Sequence, residues 1–120
     1  MDVHLRHIVC RLIAGLVVAD DDFAPEEEIF IGRMLERFDV SDRETIFPII
    51  SHDEAASRMR ELPPAVQKEA IDLLVEAAAV DGRVTEEETA YLRVVGEAVG
   101  LDAAAIDERL RAALAARANA

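Results

Sequence analysis

The chain has 120 residues with 25 Asp and Glu against 13 Lys and Arg, so its formal net charge is −12. This length predicts one domain over residues 1–120, whose core folds without a disulfide or a metal, and a hydrophobic content of 52% argues against global disorder. The negative charge repels phosphate groups, which argues against nucleic acid and anionic lipid surfaces as partners. With no Trp, one Tyr and few Gly and Pro, the composition predicts an all-α fold.

The first predicted helix covers residues 2–19. Apolar residues recur there at about 100° per residue and form one stripe. The stripe consists of Leu5, Ile8, Val9, Leu12, Ile13 and Leu16. The acidic residues 20–22 end this helix, and Pro25 then suits the first position of a second helix that runs to Phe38. The glutamates after Pro25 favour a helix amino terminus.

Two short helices are expected between residues 41 and 62. Ser41 with Glu44, and Ser51 with Glu54, have the spacing of capping boxes. In such a box, the first side chain and the glutamate three residues later each bond the other's backbone N–H. The two boxes therefore predict two helix starts in this stretch.

The second half of the chain contains three longer predicted helices. One starts at Pro63 and Pro64 and runs to Val80, with apolar residues at helical spacing. Asp81 and Gly82 form the turn after it. The sequence thus places an acidic turn here, as it does after the first helix.

The last two predicted helices are bounded by caps. Thr85 and Glu88 make a third capping box, and the helix that it opens ends at Val99 before Gly100. Asp102 caps the final helix, whose apolar stripe consists of Ile106, Leu110 and Leu114. The sequence therefore predicts seven helices.

The two halves of the chain match each other at an offset of 61 residues. The matched pairs include Leu12 with Leu73, Asp20 with Asp81, Glu27 with Glu88, Phe30 with Tyr91, Met34 with Val95, and Phe38 with Val99. Such self-similarity predicts a duplicated helical hairpin over residues 12–40 and 73–101, packed about a pseudo-twofold axis. The apolar members of these pairs, together with Leu74, are expected in the core.

Cysteine usage and the apolar runs bear on the compartment. Cys10 is the single cysteine and forms no internal disulfide, which suits a reducing compartment. The longest apolar run, residues 12–19, is too short for the roughly 20 residues that span a bilayer. Arg11 also interrupts the apolar region that a secretory signal needs. We therefore expect a soluble cytoplasmic protein.

The strongest candidate site combines Asp20 and Glu27 with Asp81 and Glu88. Hard divalent cations such as Ca²⁺, Mg²⁺ and Mn²⁺ prefer carboxylate and carbonyl oxygens, which an acidic corner between two helices supplies. The alternative is structural, because Glu88 completes the capping box of Thr85 and the other acids complement helix dipoles.

The sequence does not fit an EF-hand, a zinc site on the first helix or a known catalytic motif. An EF-hand needs oxygen ligands where the chain has Ala77 and Ala79. His4, His7 and Cys10 are zinc-capable, but a helix rises about 9 Å over six residues, so they do not readily grip one ion. The sequence has no glycine-rich phosphate loop and no G-x-S-x-G motif. No enzymatic activity is therefore expected.

Each repeat carries an apolar helix end, an acidic turn, one hydrophobic residue and an acidic helix start, as VVADDDFAPEEE and AAAVDGRVTEEE. This pattern resembles the TerB family of tellurite-resistance-associated proteins, whose fold also occurs at the front of DnaJ-like membrane co-chaperones. The family pattern is an Ala-Asp-Gly-like turn, then a hydrophobic residue and a Ser/Thr-x-x-Glu helix start. The second copy fits it with Gly82, Val84 and Thr85.

The first copy departs from the family pattern. Asp21 replaces the glycine of the turn and Ala24 replaces the hydroxyl cap, so this turn is expected to be stiffer and less well capped. The resemblance covers about residues 12–110.

The resemblance implies a stand-alone TerB-like module associated with tellurite resistance or another stress. It also implies metal binding by the turn acids and a partner such as a TerC-like membrane protein or a TerD-like calcium-binding protein. We therefore expect a non-catalytic module that binds a partner protein and a divalent cation (Ca, Mg or Mn). The alternative is a purely helical interaction scaffold without a metal site. The sequence leaves open whether the protein is a monomer or an oligomer.

Overall fold

The structure, a computed structural model, describes residues 3–17, 25–37, 51–80 and 82–118. That part of the chain forms six α-helices: α1 (Val3–Val17), α2 (Pro25–Arg37), α3 (His52–Glu61), α4 (Pro64–Ala79), α5 (Glu86–Glu97) and α6 (Ala103–Ala118). The described residues contain no strand, which confirms the predicted all-α fold. The first of the two short helices expected between residues 41 and 62 lies outside them.

Side-chain caps and a glycine fix the helix ends close to their predicted positions. Ser51 Oγ accepts a hydrogen bond from the Glu54 N–H at 3.1 Å, and Asp102 Oδ1 accepts one from the Ala105 N–H at 2.8 Å. Both caps satisfy an amide that the helix itself leaves without a partner. Gly100 has φ +86, a conformation that a Cβ disfavours, and it follows the end of α5 as expected.

Helices α1 and α4 supply most of the core. The predicted stripe of α1 is buried except for Leu5, which packs partly buried against the core. Helix α4 buries Ala70, Ile71, Leu73, Leu74, Val75, Ala77, Ala78 and Ala79. Because each buried Leu or Ile side chain stabilises the fold by about 1.5–3 kcal/mol, these two helices dominate the hydrophobic contribution.

Consecutive helices pack together within each of the two predicted hairpins. Helix α1 packs against α2, and α4 packs against α5. Helix α1 also contacts α4 and α5, so the two hairpins share one core. Helix α3 lies against α5 and α1, whereas α6 packs on α4 and α5. The close superposition of the two hairpins stays a prediction.

The predicted core positions are buried at most sites that the structure describes. The buried positions are Phe30, Met34, Leu73, Leu74, Tyr91 and Val95. Val99 is only partly buried, and Phe38 lies outside the described residues. In α6, Ile106 and Leu110 are buried, whereas Leu114 is partly buried. None of the described helices has the length and apolar character that a membrane span requires.

Candidate functional site at the acidic turns

The second acidic turn is built around a capping box. The Thr85 N–H donates to Glu88 Oε1 at 3.1 Å, and the Glu88 N–H donates to Thr85 Oγ1 at 3.1 Å. The Thr85 hydroxyl also approaches Glu88 Oε1 at 3.3 Å. Glu88 is 3% exposed. The carboxylate is therefore held in a defined position at the amino end of α5, where the helix dipole favours a negative charge.

Gly82 and Val84 connect the end of α4 to this capping box. Gly82 has φ +88 and donates its N–H to the Ala79 carbonyl at 3.0 Å. A residue with a Cβ is strained in that conformation, which explains the glycine in the second copy. Val84 packs partly buried against the core. The turn therefore takes its shape from one glycine and one apolar anchor.

The first acidic turn is described only from its helix start onwards. Helix α2 begins at Pro25, as predicted, and Glu26 and Glu28 are exposed in its first turn. Asp20 and Asp81 lie outside the described residues, and so does the side chain of Glu27. Of the four predicted metal ligands, the structure thus describes the side chain of Glu88 alone.

A groove joins the two turn regions. It has a volume of about 280 Å³ and is lined by Glu26, Val80, Gly82, Leu114, Arg117 and Ala118. Glu26 belongs to the first copy and Gly82 to the second, so the structure brings the flanks of both acidic turns to one surface. The carboxyl end of α6 closes the groove with Arg117. The repeat predicted that the two turns are equivalent, but it gave no signal for the contribution of α6.

Among the residues that the structure describes, no three His, Cys, Asp or Glu side chains lie close enough together to hold a metal ion. The zinc-capable residues of α1 differ in exposure. His4 is exposed, whereas Cys10 is 3% exposed and packs beside Ile13 and Met34. Burial raises the pKa of the Cys10 thiol to about 11. A protonated, buried thiol is a poor metal ligand.

The family model of the tellurite resistance protein TerB matches residues 49–112. The match is more than half of the chain and contains α3, α4 and α5 with most of α6. It includes the second acidic turn and begins after the end of the first repeat, residues 12–40. No curated protein and no solved structure matches the chain.

Proposed function

The chain belongs to the TerB family, and on that premise we propose that it is a non-catalytic binding module. It engages a partner protein and binds a divalent cation at its two acidic turns. The candidate ligands are Asp20, Glu27, Asp81 and Glu88. Partners of the TerC-like or TerD-like kind fit the family association.

The groove between the turns is the observation that carries the cation proposal. Glu26 precedes Glu27 in the chain, and Gly82 follows Asp81. One groove is therefore lined by a residue next to a candidate ligand of each repeat. Carboxylates from two turns, together with backbone carbonyls at the bends, form an oxygen-only ligand set. Such a set favours Ca²⁺, Mg²⁺ or Mn²⁺ over zinc.

Arg117 gives this proposal a specific electrostatic consequence. Arg117 lines the same groove as Glu26 and Gly82, the chain neighbours of two candidate ligands, and carries a positive charge. A cation that binds there is repelled by the guanidinium group, because like charges oppose binding at short range. We therefore expect Arg117→Ala to tighten cation binding.

A metal-free scaffold is the second candidate function, and the geometry of Glu88 favours it. Glu88 Oε1 accepts from both the amide and the hydroxyl of Thr85. These bonds, with the burial of the side chain, give Glu88 a structural role without any ion. In that case the remaining acids only complement helix dipoles and keep the protein soluble.

Calorimetric titration of the metal-free chain with Ca²⁺, Mg²⁺ and Mn²⁺ separates the two functions. About 0.15 M salt suppresses diffuse attraction of ions to the acidic surface. Binding to the folded state should raise the free energy of unfolding by about 2.7 kcal/mol at a hundredfold excess over Kd. Asp20→Asn combined with Asp81→Asn should remove both the heat and the stabilisation, and both substitutions leave Thr85 and Glu88, the residues of the capping box, unchanged.

The matched control is Glu76→Gln combined with Glu97→Gln. Both side chains are exposed on helices outside the turns, and the double variant removes the same amount of charge. It should bind the cation as the parent chain does. Heat that survives in the Asp20 and Asp81 variant, or no heat with any of the three ions, would favour the scaffold.

A further inference from the structure

A second groove lies at the opposite end of α4 from the acidic turns. It has a volume of about 180 Å³ and is lined by Pro64, Gln67, Lys68, Ile71, Val99, Leu101 and Arg109. The residues come from the first turns of α4, the loop after α5, and α6. The nearest lining residues of the two grooves along this helix, Ile71 and Val80, are nine residues apart, which is about 14 Å at 1.5 Å per residue.

The floor of this groove is apolar and fixed in place. Ile71 is buried in the core, and Val99 and Leu101 pack partly buried against it. Gln67 is held at the side by a hydrogen bond from its Nε2 to the Met59 carbonyl at 3.1 Å. The groove is therefore a feature of the packed helices, and its volume suits one apolar side chain of a ligand.

The charge of the groove is opposite to that of the chain. The formal net charge is −12, yet the charged side chains that line the groove are Lys68 and Arg109, both basic. The amino end of α4 lies beside them, and its N-cap Pro63 supplies no side-chain acceptor. The partial positive charge of the helix terminus thus has the same sign as the two side chains.

We propose that this groove docks a short acidic segment of a partner protein, which inserts one aliphatic side chain against Ile71 and Leu101 and sets carboxylates against Lys68 and Arg109. The proposal rests on the partner-binding part of the proposed function and names the surface and the chemistry of the partner. Charge complementarity selects the occupant, because a basic or neutral segment gains nothing from the two cations. At about 0.15 M salt the Debye length is about 8 Å, so repulsion from the more distant acids of the chain is largely screened.

Asp72 competes with the incoming carboxylate. Its Oδ1 lies 3.5 Å from an Arg109 guanidinium nitrogen, and both side chains are substantially exposed. Exposed pairs of this kind contribute at most about 1 kcal/mol, so a ligand carboxylate can replace or share the contact. Removing the competitor by Asp72→Asn should therefore strengthen docking.

The test is a titration of the full, isotope-labelled chain with defined peptides, followed by amide NMR. The probe is an acetylated and amidated peptide with a central leucine flanked on both sides by glutamates. We expect shifts of the Lys68, Ile71 and Leu101 amides that saturate, and that weaken when salt is added. Peptides with lysine in place of glutamate, or alanine in place of leucine, should bind at least about tenfold more weakly, which corresponds to 1.4 kcal/mol.

Protein variants locate the effect. Lys68→Glu combined with Arg109→Glu should weaken binding by at least about tenfold. Arg33→Glu combined with Arg111→Glu is the matched control, because it reverses two charges at exposed residues of α2 and α6 outside the groove. It should change the affinity less than about twofold. Asp72→Asn should raise the affinity about twofold, and this gain stays measurable even if the double reversal fails to fold.

Other outcomes overturn the proposal. No groove shifts up to about 1 mM acidic peptide, or equal shifts with the lysine peptide, would remove the charge argument. Groove shifts with decanoate in the absence of any with the peptide would make it a fatty-carboxylate site. Groove shifts that appear on raising the concentration of the chain alone would assign the surface to a second copy. The cation experiment uses the other end of α4, so its failure leaves these results unaffected, and the reverse also holds.

Discussion

The two matched segments of the chain bury equivalent positions but differ in sequence at their turns. Ile13 and Leu74 are equivalent, and both are fully buried. At the turn, the second copy has Gly82 with φ +88 and a complete capping box at Thr85, where the first copy has Asp21 and Ala24. The TerB family model matches the second copy and not the first. The TerB match thus lies in the copy that has the glycine turn and the capping box, whereas both copies share the pattern of buried apolar positions.

A second difference concerns Tyr91 and its equivalent, Phe30. The Tyr91 hydroxyl donates to the Leu12 carbonyl at 2.8 Å and so joins the second repeat to α1 of the first. Gly15 makes room for this contact, because a Cβ at Gly15 would lie 2.8 Å from the hydroxyl oxygen. Phe30 has no hydroxyl, and the residue equivalent to Gly15 is Glu76. The two copies thus differ in sequence at a buried contact as well as at a turn.

The helices that follow the hairpins also differ. Helix α3 follows the first hairpin but packs against α5 of the second, with His52 edge-on to Tyr91 at a ring-centroid distance of 5.4 Å. Helix α6 follows the second hairpin and packs on α4 and α5, the helices of its own copy. Of the two helices that follow the hairpins, α3 therefore packs mainly against the other copy and α6 mainly against its own.

The largest effect is expected for the shared core. Truncating Leu74 to Ala, or its equivalent Ile13 to Ala, should lower the free energy of unfolding by about 2–5 kcal/mol, because each leaves a cavity among fully buried neighbours. Urea denaturation measures both. Equal losses would support equivalent cores, whereas a loss confined to Leu74 would show that the first copy contributes little to the common fold.

Gly15→Ala should test the Tyr91 contact. The new Cβ displaces the hydroxyl, and overpacking of this kind costs about 1–3 kcal/mol, partly offset by about 1 kcal/mol from the higher helix propensity of Ala. Tyr91→Phe, which copies Phe30, should cost about 1 kcal/mol for the lost hydrogen bond. Gly15→Ala in the Tyr91→Phe background should then be much milder. Strict additivity in this double-mutant cycle would mean that the two residues act independently.

The turn difference can be tested from both copies. Thr85→Ala should lower the free energy of unfolding by about 1 kcal/mol, since it removes the hydroxyl that accepts the hydrogen bond from the Glu88 N–H. The reverse change at the equivalent position, Ala24→Thr, should stabilise by a similar or smaller amount if the first turn has the same geometry. Thermal unfolding of both variants gives the comparison. Destabilisation by Ala24→Thr would show that the two turns have different backbones.

The smallest effect concerns Cys10, whose equivalent Ile71 does not titrate. Burial raises the Cys10 pKa from 9.0 to about 11, so the folded state holds the proton more tightly than the unfolded state. This stabilisation is complete below pH 9 and is lost as the pH rises towards 11. Near the lower end of that window the loss is less than about 1 kcal/mol.

Cys10→Ala should flatten this part of the pH profile when it is measured by urea denaturation. Burial also raises the Tyr91 pKa above its usual value, so the Tyr91→Phe background removes that second contribution. A slope that persists in the Cys10→Ala, Tyr91→Phe double variant would point to another group.

Local interactions let the sequence determine the helices and their ends. The capping box of Thr85 and Glu88, the cap at Ser51 and the turn at Gly82 each involve residues within about four positions of one another, so spacing alone reveals them. The buried stripes follow from helical periodicity in the same way. The repeat also predicts two acidic turns at matching positions.

Only the tertiary structure decided which distant residues meet. The contact of Tyr91 with the Leu12 carbonyl spans 79 positions, and the pairing of Glu26 with Gly82 at one groove depends on how α6 closes it. Likewise, Lys68 and Arg109 share a groove because α4 packs on α6. Such contacts depend on the angles and distances at which whole helices pack, and the apolar periodicity of a single helix does not reveal them.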